Sequence, residues 1–102
     1  MSISSTVSAD GKEVTISISG RFDFAVQNEF RDCYHATRAD DDVHFVIDMA
    51  KASYMDSSAL GMLLMMREHL GGNSANITIS NCSPDISNIL TVANFQSLFK
   101  IA

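Results

Sequence analysis

Apolar residues alternate with polar ones along the first part of the chain, with Ile3, Val7 and Ala9 in one run and Val14, Ile16 and Ile18 in the next. A period of two marks strands with one buried face, so strands are predicted from Ile3 to Ala9 and from Val14 to Ile18. Asp10-Gly11 between them suits the positive φ angles of a tight hairpin turn. Gly20 is read as the end of the second strand and Arg21-Phe22-Asp23 as a short connection. The spacing then changes: Val26, Phe30, Cys33, Tyr34 and Thr37 approximate one face of a helix running from about Phe24 to Arg38. His44-Phe45-Val46-Ile47-Asp48 is an almost unbroken apolar run, as expected for an interior parallel strand.

A loop through Ala50, Lys51, Ala52 and Ser53 is expected to lead to Asp56. A second helix is predicted from Ser57 to Leu70, stopped by Gly71-Gly72. Ile77-Thr78-Ile79 reads as a third interior strand, and Pro84 opens a helix to about Ala93 that Asn94 breaks. Leu98-Phe99-Lys100-Ile101 supplies a last short strand. The order ββαβαβαβ predicts an α/β fold: a mixed sheet with an antiparallel N-terminal hairpin, then parallel strands, covered by helices. No internal repeat or linker interrupts it, so residues 1–102 are expected to form one domain.

Composition narrows the function more than the fold. The net charge is −5 and no basic patch exists to meet a phosphate backbone, which argues against nucleic acid as a partner. No uninterrupted apolar run approaches about 18 residues, so no membrane span is expected. Met1-Ser2-Ile3-Ser4-Ser5-Thr6 lacks a basic stretch followed by an apolar one, so no secretory leader is expected either. Cys33 and Cys82 lie far apart in no metal-ligand spacing and read as reduced thiols. Asp40-Asp41-Asp42 reads as a solvated turn, because no glycine-containing calcium loop follows it. Neither a metal nor a cofactor is expected.

Chemistry concentrates at Asp56-Ser57-Ser58, where a loop becomes a helix. Asp56 is placed to cap the helix by accepting from the backbone N–H of Ser58 or Ala59. A hydroxyl there sits among unpaired amides at the positive end of the helix dipole, where an anion is stabilised. By residue physics alone the three residues read first as a cap, and as a phosphate acceptor second. At about 100° per residue, Ser58 shares a stripe with Gly61, Met62, Met65 and His69. The leucine-rich side is expected to face the sheet, leaving some of Gly61, Met62 and Met65 near the surface, where soft methionines suit repacking against a partner. Met66 is expected in the core, and Met65 fits either place.

These residues resemble a known family. Asp56-Ser57-Ser58 followed by Leu60-Gly61, with Phe45-Val46-Ile47-Asp48 before it, resembles the STAS domain of anti-sigma factor antagonists. Gly20-Arg21-Phe22-Asp23 is similar to the family's Gly-x-x-Asp after the second strand, and Leu98-Phe99-Lys100-Ile101 to its segment before the last helix. The resemblance implies a bacterial cytoplasmic regulator of transcription or signalling that is no enzyme itself. It implies phosphorylation on Ser58, less so on Ser57, by an anti-sigma factor that is also a serine kinase of the histidine-kinase-like ATPase fold. A PP2C-type phosphatase would remove the phosphate, and the unphosphorylated form would bind the kinase and release its downstream regulatory client. By the same resemblance Asp23 would lie close to Ser58 and help shape the partner surface, which from their place on the helix also takes in Asp56, Ser57, Gly61, Met62 and Met65. Ala59 replaces a glycine common in the family, and Arg21 stands where an acid is frequent.

Two other readings set the alternatives. A constitutive STAS accessory subunit of a transport complex would bind its partner without a switch. A serine hydrolase would use Ser57 or Ser58 with His35, His44 or His69 as base, but the Gly-x-Ser-x-Gly elbow is absent. His69 lies roughly 16 Å from Ser58 by the helical rise.

Overall fold

The computed structural model describes residues 3–102. Five strands form a single sheet in the order β1-β2-β3-β4-β5, with β1 Ile3–Val7, β2 Glu13–Phe22, β3 His44–Met55, β4 Ile77–Ser80 and β5 Lys100–Ile101. Only β1 and β2 pair antiparallel; the other neighbours run parallel. Between them lie α1 Gln27–Asp32, α2 Ser57–His69 and α3 Pro84–Val92, giving the expected order ββαβαβαβ. Cross-strand rows explain the core: Ile16, Ile47 and Ile79 stand side by side, as do Val14, Phe45 and Ile77, all buried. Ala59, Leu63 and Met66 of α2 and Ile86 and Leu90 of α3 join the same apolar cluster.

Several elements differ from the sequence expectation. Gly20 does not end β2: at φ +80 it sits inside the strand, which continues to a fully buried Phe22. The segment Ala50–Ser53 is strand as well, because β3 stays paired with β2 as far as Phe22↔Met55. Register shifts fall between Ser17 and Ser19 and between Gly20 and Arg21. They change the burial of β3 from every second residue to every third, at Met49, Ala52 and Met55, so the alternation that marks a strand is lost. In Gly20→Ala, a Cβ would meet no atom within 4 Å, so only the left-handed backbone opposes it. We expect a loss of about 1 kcal/mol, measurable as a lower midpoint in urea.

The first helix is much shorter than Phe24 to Arg38. A 3₁₀ turn, Phe24–Val26, leads into α1, and tightened i→i+3 bonds follow it, Cys33 N–H to the Phe30 carbonyl and Tyr34 N–H to that of Arg31. Tertiary contacts hold this segment: Phe22, Phe30 and Tyr34 pack ring against ring, and a His69 ring nitrogen lies 2.9 Å from the Thr37 carbonyl. Strand β1 stops at Val7, with Ala9 in the turn, and as an edge strand it buries only Ile3 and leaves Val7 62% exposed. The last strand shrinks to Lys100–Ile101, since Phe95–Ser97 forms a 3₁₀ turn that carries Phe99 into the core. Helix α3 begins at an N-cap the sequence reading missed, Ser83, and Asn94, expected to break it, follows its end in the left-handed conformation.

Candidate functional site

Strands β2 and β3 end side by side, Phe22 opposite Met55, so Asp23 and Asp56 are the next residues on two neighbouring parallel strands. In open α/β sheets this carboxyl end is where binding sites collect. Both aspartates have extended backbones, and each caps the helical turn that begins after it. Asp23 accepts from the Ala25 N–H, and Asp56 accepts from the N–H groups of Ser58 and Ala59 at 3.0 and 3.2 Å. Ser57 is therefore the first residue of α2 and Ser58 the second.

The Ser58 hydroxyl donates to Asp56 Oδ1 at 2.6 Å. One carboxylate oxygen thus gathers two amides and a hydroxyl, while the Tyr54 hydroxyl lies 3.5 Å from the other oxygen. Chiefly through the Ser58 hydroxyl, then through the two amides, the Asp56 carboxyl is held below its ordinary value of 3.8, against a desolvation effect of opposite sign. A depressed carboxylate pKa stabilises the fold fully above its ordinary value and loses that contribution as pH falls through the lower folded value. In Ser58→Ala the largest cause disappears, so the Asp56 carboxyl should titrate at higher pH than in the parent. A ¹³C NMR titration of the Asp56 carboxyl carbon checks this.

Around this centre Ser57 and Gly61 are exposed, Ser58 is half-buried, and Met65 is 56% exposed. Met62 corrects the expectation that it lies near the surface: it is 5% exposed and packs in the core with Leu63. Leu64, expected to face the sheet, is exposed instead. The buried face of α2 is Ala59, Met62, Leu63 and Met66, about one residue round from the leucine-rich side. Met62 and Met65 border a small notch with Phe30, Arg31 and Tyr34 of the first helical region.

Asp23 stands beside Asp56 in register, but its own partners are the Ala25 N–H and Arg21 Nε, the latter at 3.2 Å. Phe24 and Tyr54 escaped the sequence reading, and Arg21 entered it only as a departure from the family pattern. Arg21 places its guanidinium carbon 3.9 Å from the centre of the Tyr54 ring, and Phe24 is 66% exposed just beyond Asp23. Tyr54 is the penultimate residue of β3, two before Asp56, a signal hidden once Ala50–Ser53 is read as loop.

The histidines are occupied elsewhere. His69 meets the Thr37 carbonyl and stacks on His35, while His44 lies between Glu13 and Thr78. Among the described residues no cluster of three or more His, Cys, Asp or Glu side chains could hold a metal ion, and no helix is long and apolar enough to cross a membrane.

A family profile described as Mlab, STAS domain matches residues 5–100, and the chain belongs to that STAS-domain family. It is 50% identical to a STAS-domain containing protein of Pseudomonas aeruginosa (strain UCBPP-PA14), over the full length of both chains. Among solved structures it is similar to the anti-sigma factor antagonist SpoIIAA in its unphosphorylated form, with a TM-score of 0.74, 19% identity and coverage of 98% of this chain and 86% of that one. The phosphorylated form of Bacillus SpoIIAA gives a TM-score of 0.73, 18% identity and coverage of 98% and 90%. A sulfate transporter family protein of Wolinella succinogenes gives a TM-score of 0.70, 15% identity and coverage of 93% and 80%. The antagonists and the transporter protein share this fold.

Proposed function

We propose that the chain is a single-domain, cytoplasmic protein-binding switch of the anti-sigma factor antagonist type, set by phosphorylation of Ser58. The observation that carries this reading is the Ser58 hydroxyl itself, half-buried in the first turn of α2 and donating to Asp56 at 2.6 Å. That bond orients the oxygen and starts to draw off its proton, as an acceptor hydroxyl requires. In the transfer, Ser58 Oγ bonds to the γ-phosphorus of ATP while the bond from that phosphorus to its bridging oxygen breaks. ADP leaves, and the hydroxyl proton passes through Asp56 to solvent. The donor is a serine kinase that is also the anti-sigma partner, of the histidine-kinase-like ATPase fold. A PP2C-type phosphatase returns the hydroxyl by hydrolysing the Oγ–P bond with water, releasing inorganic phosphate. On this reading the chain is the substrate of both enzymes; His44 contacts Thr78 and His69 the Thr37 carbonyl.

The unphosphorylated surface offers Ser57, Ser58, Gly61 and Met65 of α2 with Phe24 and the two capping aspartates beside them. A partner seated there displaces its downstream regulatory client. Phosphate adds about −1.5 to −2 charge at a helix start that tolerates it, so the fold persists while the interface fails. The test is tandem mass spectrometry of the protein purified from its own cells with phosphatase inhibitors. One phosphoryl group on Ser58, lost in Ser58→Ala, is expected; an unmodified protein under every growth condition overturns the switch. The likeness to a sulfate transporter family protein favours one alternative, a constitutive accessory subunit of a transport complex. On that reading, stable co-purification with membrane transport components would be unaffected by Ser58→Ala and by Ser58→Glu alike.

A further inference from the structure

Resting on the switch reading, we propose that Arg21 is the cation that captures the phosphate on Ser58, leaving Asp23 and Tyr54 as it does so. A run of contacts connects them. The Arg21 guanidinium lies over the Tyr54 ring, Tyr54 faces Arg21 across the β2–β3 register, the Tyr54 hydroxyl approaches Asp56, and Asp56 holds the Ser58 hydroxyl. Asp56 thus follows the end of β3 directly, two residues beyond Tyr54, the residue that faces Arg21.

Electrostatics favours such a cation. The amides of Ser58 and Ala59, which would otherwise receive an anion at this helix start, already donate to Asp56. Esterification removes the proton that Ser58 Oγ donates to Asp56 Oδ1 across 2.6 Å and sets a dianion next to that carboxylate, so repulsion opposes the local dipole. Arg21 is held loosely, its side chain 63% exposed and its carboxylate contact a single 3.2 Å bond to Asp23. An exposed pair of this kind holds weakly, whereas guanidinium and a phosphate dianion form paired, charge-assisted bonds.

Other basic residues are engaged or distant. Lys12 reaches the Asp41 carbonyl, Arg38 pairs with Asp40 and Arg67 bonds Asn73. Lys51 lies level with Ser19, back from the strand end, and Lys100 is on the far edge strand. Arg31 borders the notch at Met62 and Met65 and serves as the control. Phosphorylation on this scheme alters the surface twice, adding a dianion and stripping the guanidinium from Tyr54 and Asp23.

The test incorporates phosphoserine at position 58 during translation, so no kinase is needed, and follows its second ionisation by ³¹P NMR. Relative to the Arg21 parent, Arg21→Gln should titrate about one pH unit higher. Arg31→Gln should match the parent, Arg21→Lys should fall between, and salt at about 1 M should narrow the gap. Circular dichroism confirms that each variant is folded. Equal titrations in the parent and Arg21→Gln, or a shift caused by Arg31→Gln alone, would overturn the proposal. Absence of Ser58 phosphate in cells would remove the switch reading while this titration still reports on Arg21.

Discussion

Replacing Ser58 by glutamate should weaken binding of the cognate serine kinase at least ~100-fold, while Ser58→Ala should stay within about threefold of the parent. The asymmetry arises from the different demands the two side chains make on the interface. Alanine removes one donor, but Asp56 keeps the amides of Ser58 and Ala59 and the cap survives. Glutamate puts a second carboxylate beside Asp56 in the first turn of α2, where the free protein tolerates it in water. A partner covering Gly61 and Met65 must strip that water, and with Arg21 still held on Asp23 and Tyr54 the shorter carboxylate has no matched cation, a penalty among the largest an interface meets. Isothermal titration calorimetry of the three proteins against the kinase measures the difference. Equal affinities for Ser58→Glu and the parent would mean that the partner docks elsewhere.

The parts of this site legible in the sequence are those that local chain geometry decides. An aspartate accepting from amides two and three residues ahead needs nothing but its own backbone, so the Asp56 cap and the placement of Ser57 and Ser58 could be read directly. The alternation of Val14, Ile16 and Ile18 was equally readable, because β2 there has one buried face. What failed was non-local. Bulges in β2 gave β3 burial at Met49, Ala52 and Met55, a spacing of three that mimics neither strand nor loop. With the strand end hidden, the pairing of Arg21 with Tyr54 was hidden too. The orientation of α2 was illegible for a different reason: Leu60, Met62, Leu63, Leu64, Met65 and Met66 surround most of the helix. A wheel cannot choose the buried arc when nearly every arc is apolar; the sheet and the first helical region chose it.

That choice sets up the second large effect, a separation of stability from binding within one helix. Leu63 is fully buried and Met65 is 56% exposed, two residues apart. Leu63→Ala removes a branched side chain from the point where α2 meets the sheet, and close-packed neighbours refill such space only in part. We expect a loss of about 3 kcal/mol, lowering Tm by about 15 °C for a domain of this size. Met65→Ala takes its atoms from solvent, so its stability should stay within about 0.5 kcal/mol of the parent. Kinase binding should reverse the order once both proteins are folded at low temperature. Met65→Ala should bind about tenfold more weakly, since a methionine side chain buried on docking contributes roughly 1.5–3 kcal/mol, and Leu63→Ala should bind nearly as the parent does. Thermal melts and calorimetry on the same preparations decide it. Unchanged affinity in Met65→Ala would move the docking surface off this face of α2, leaving Ser58 at its rim and the switch to act through the Arg21 side instead.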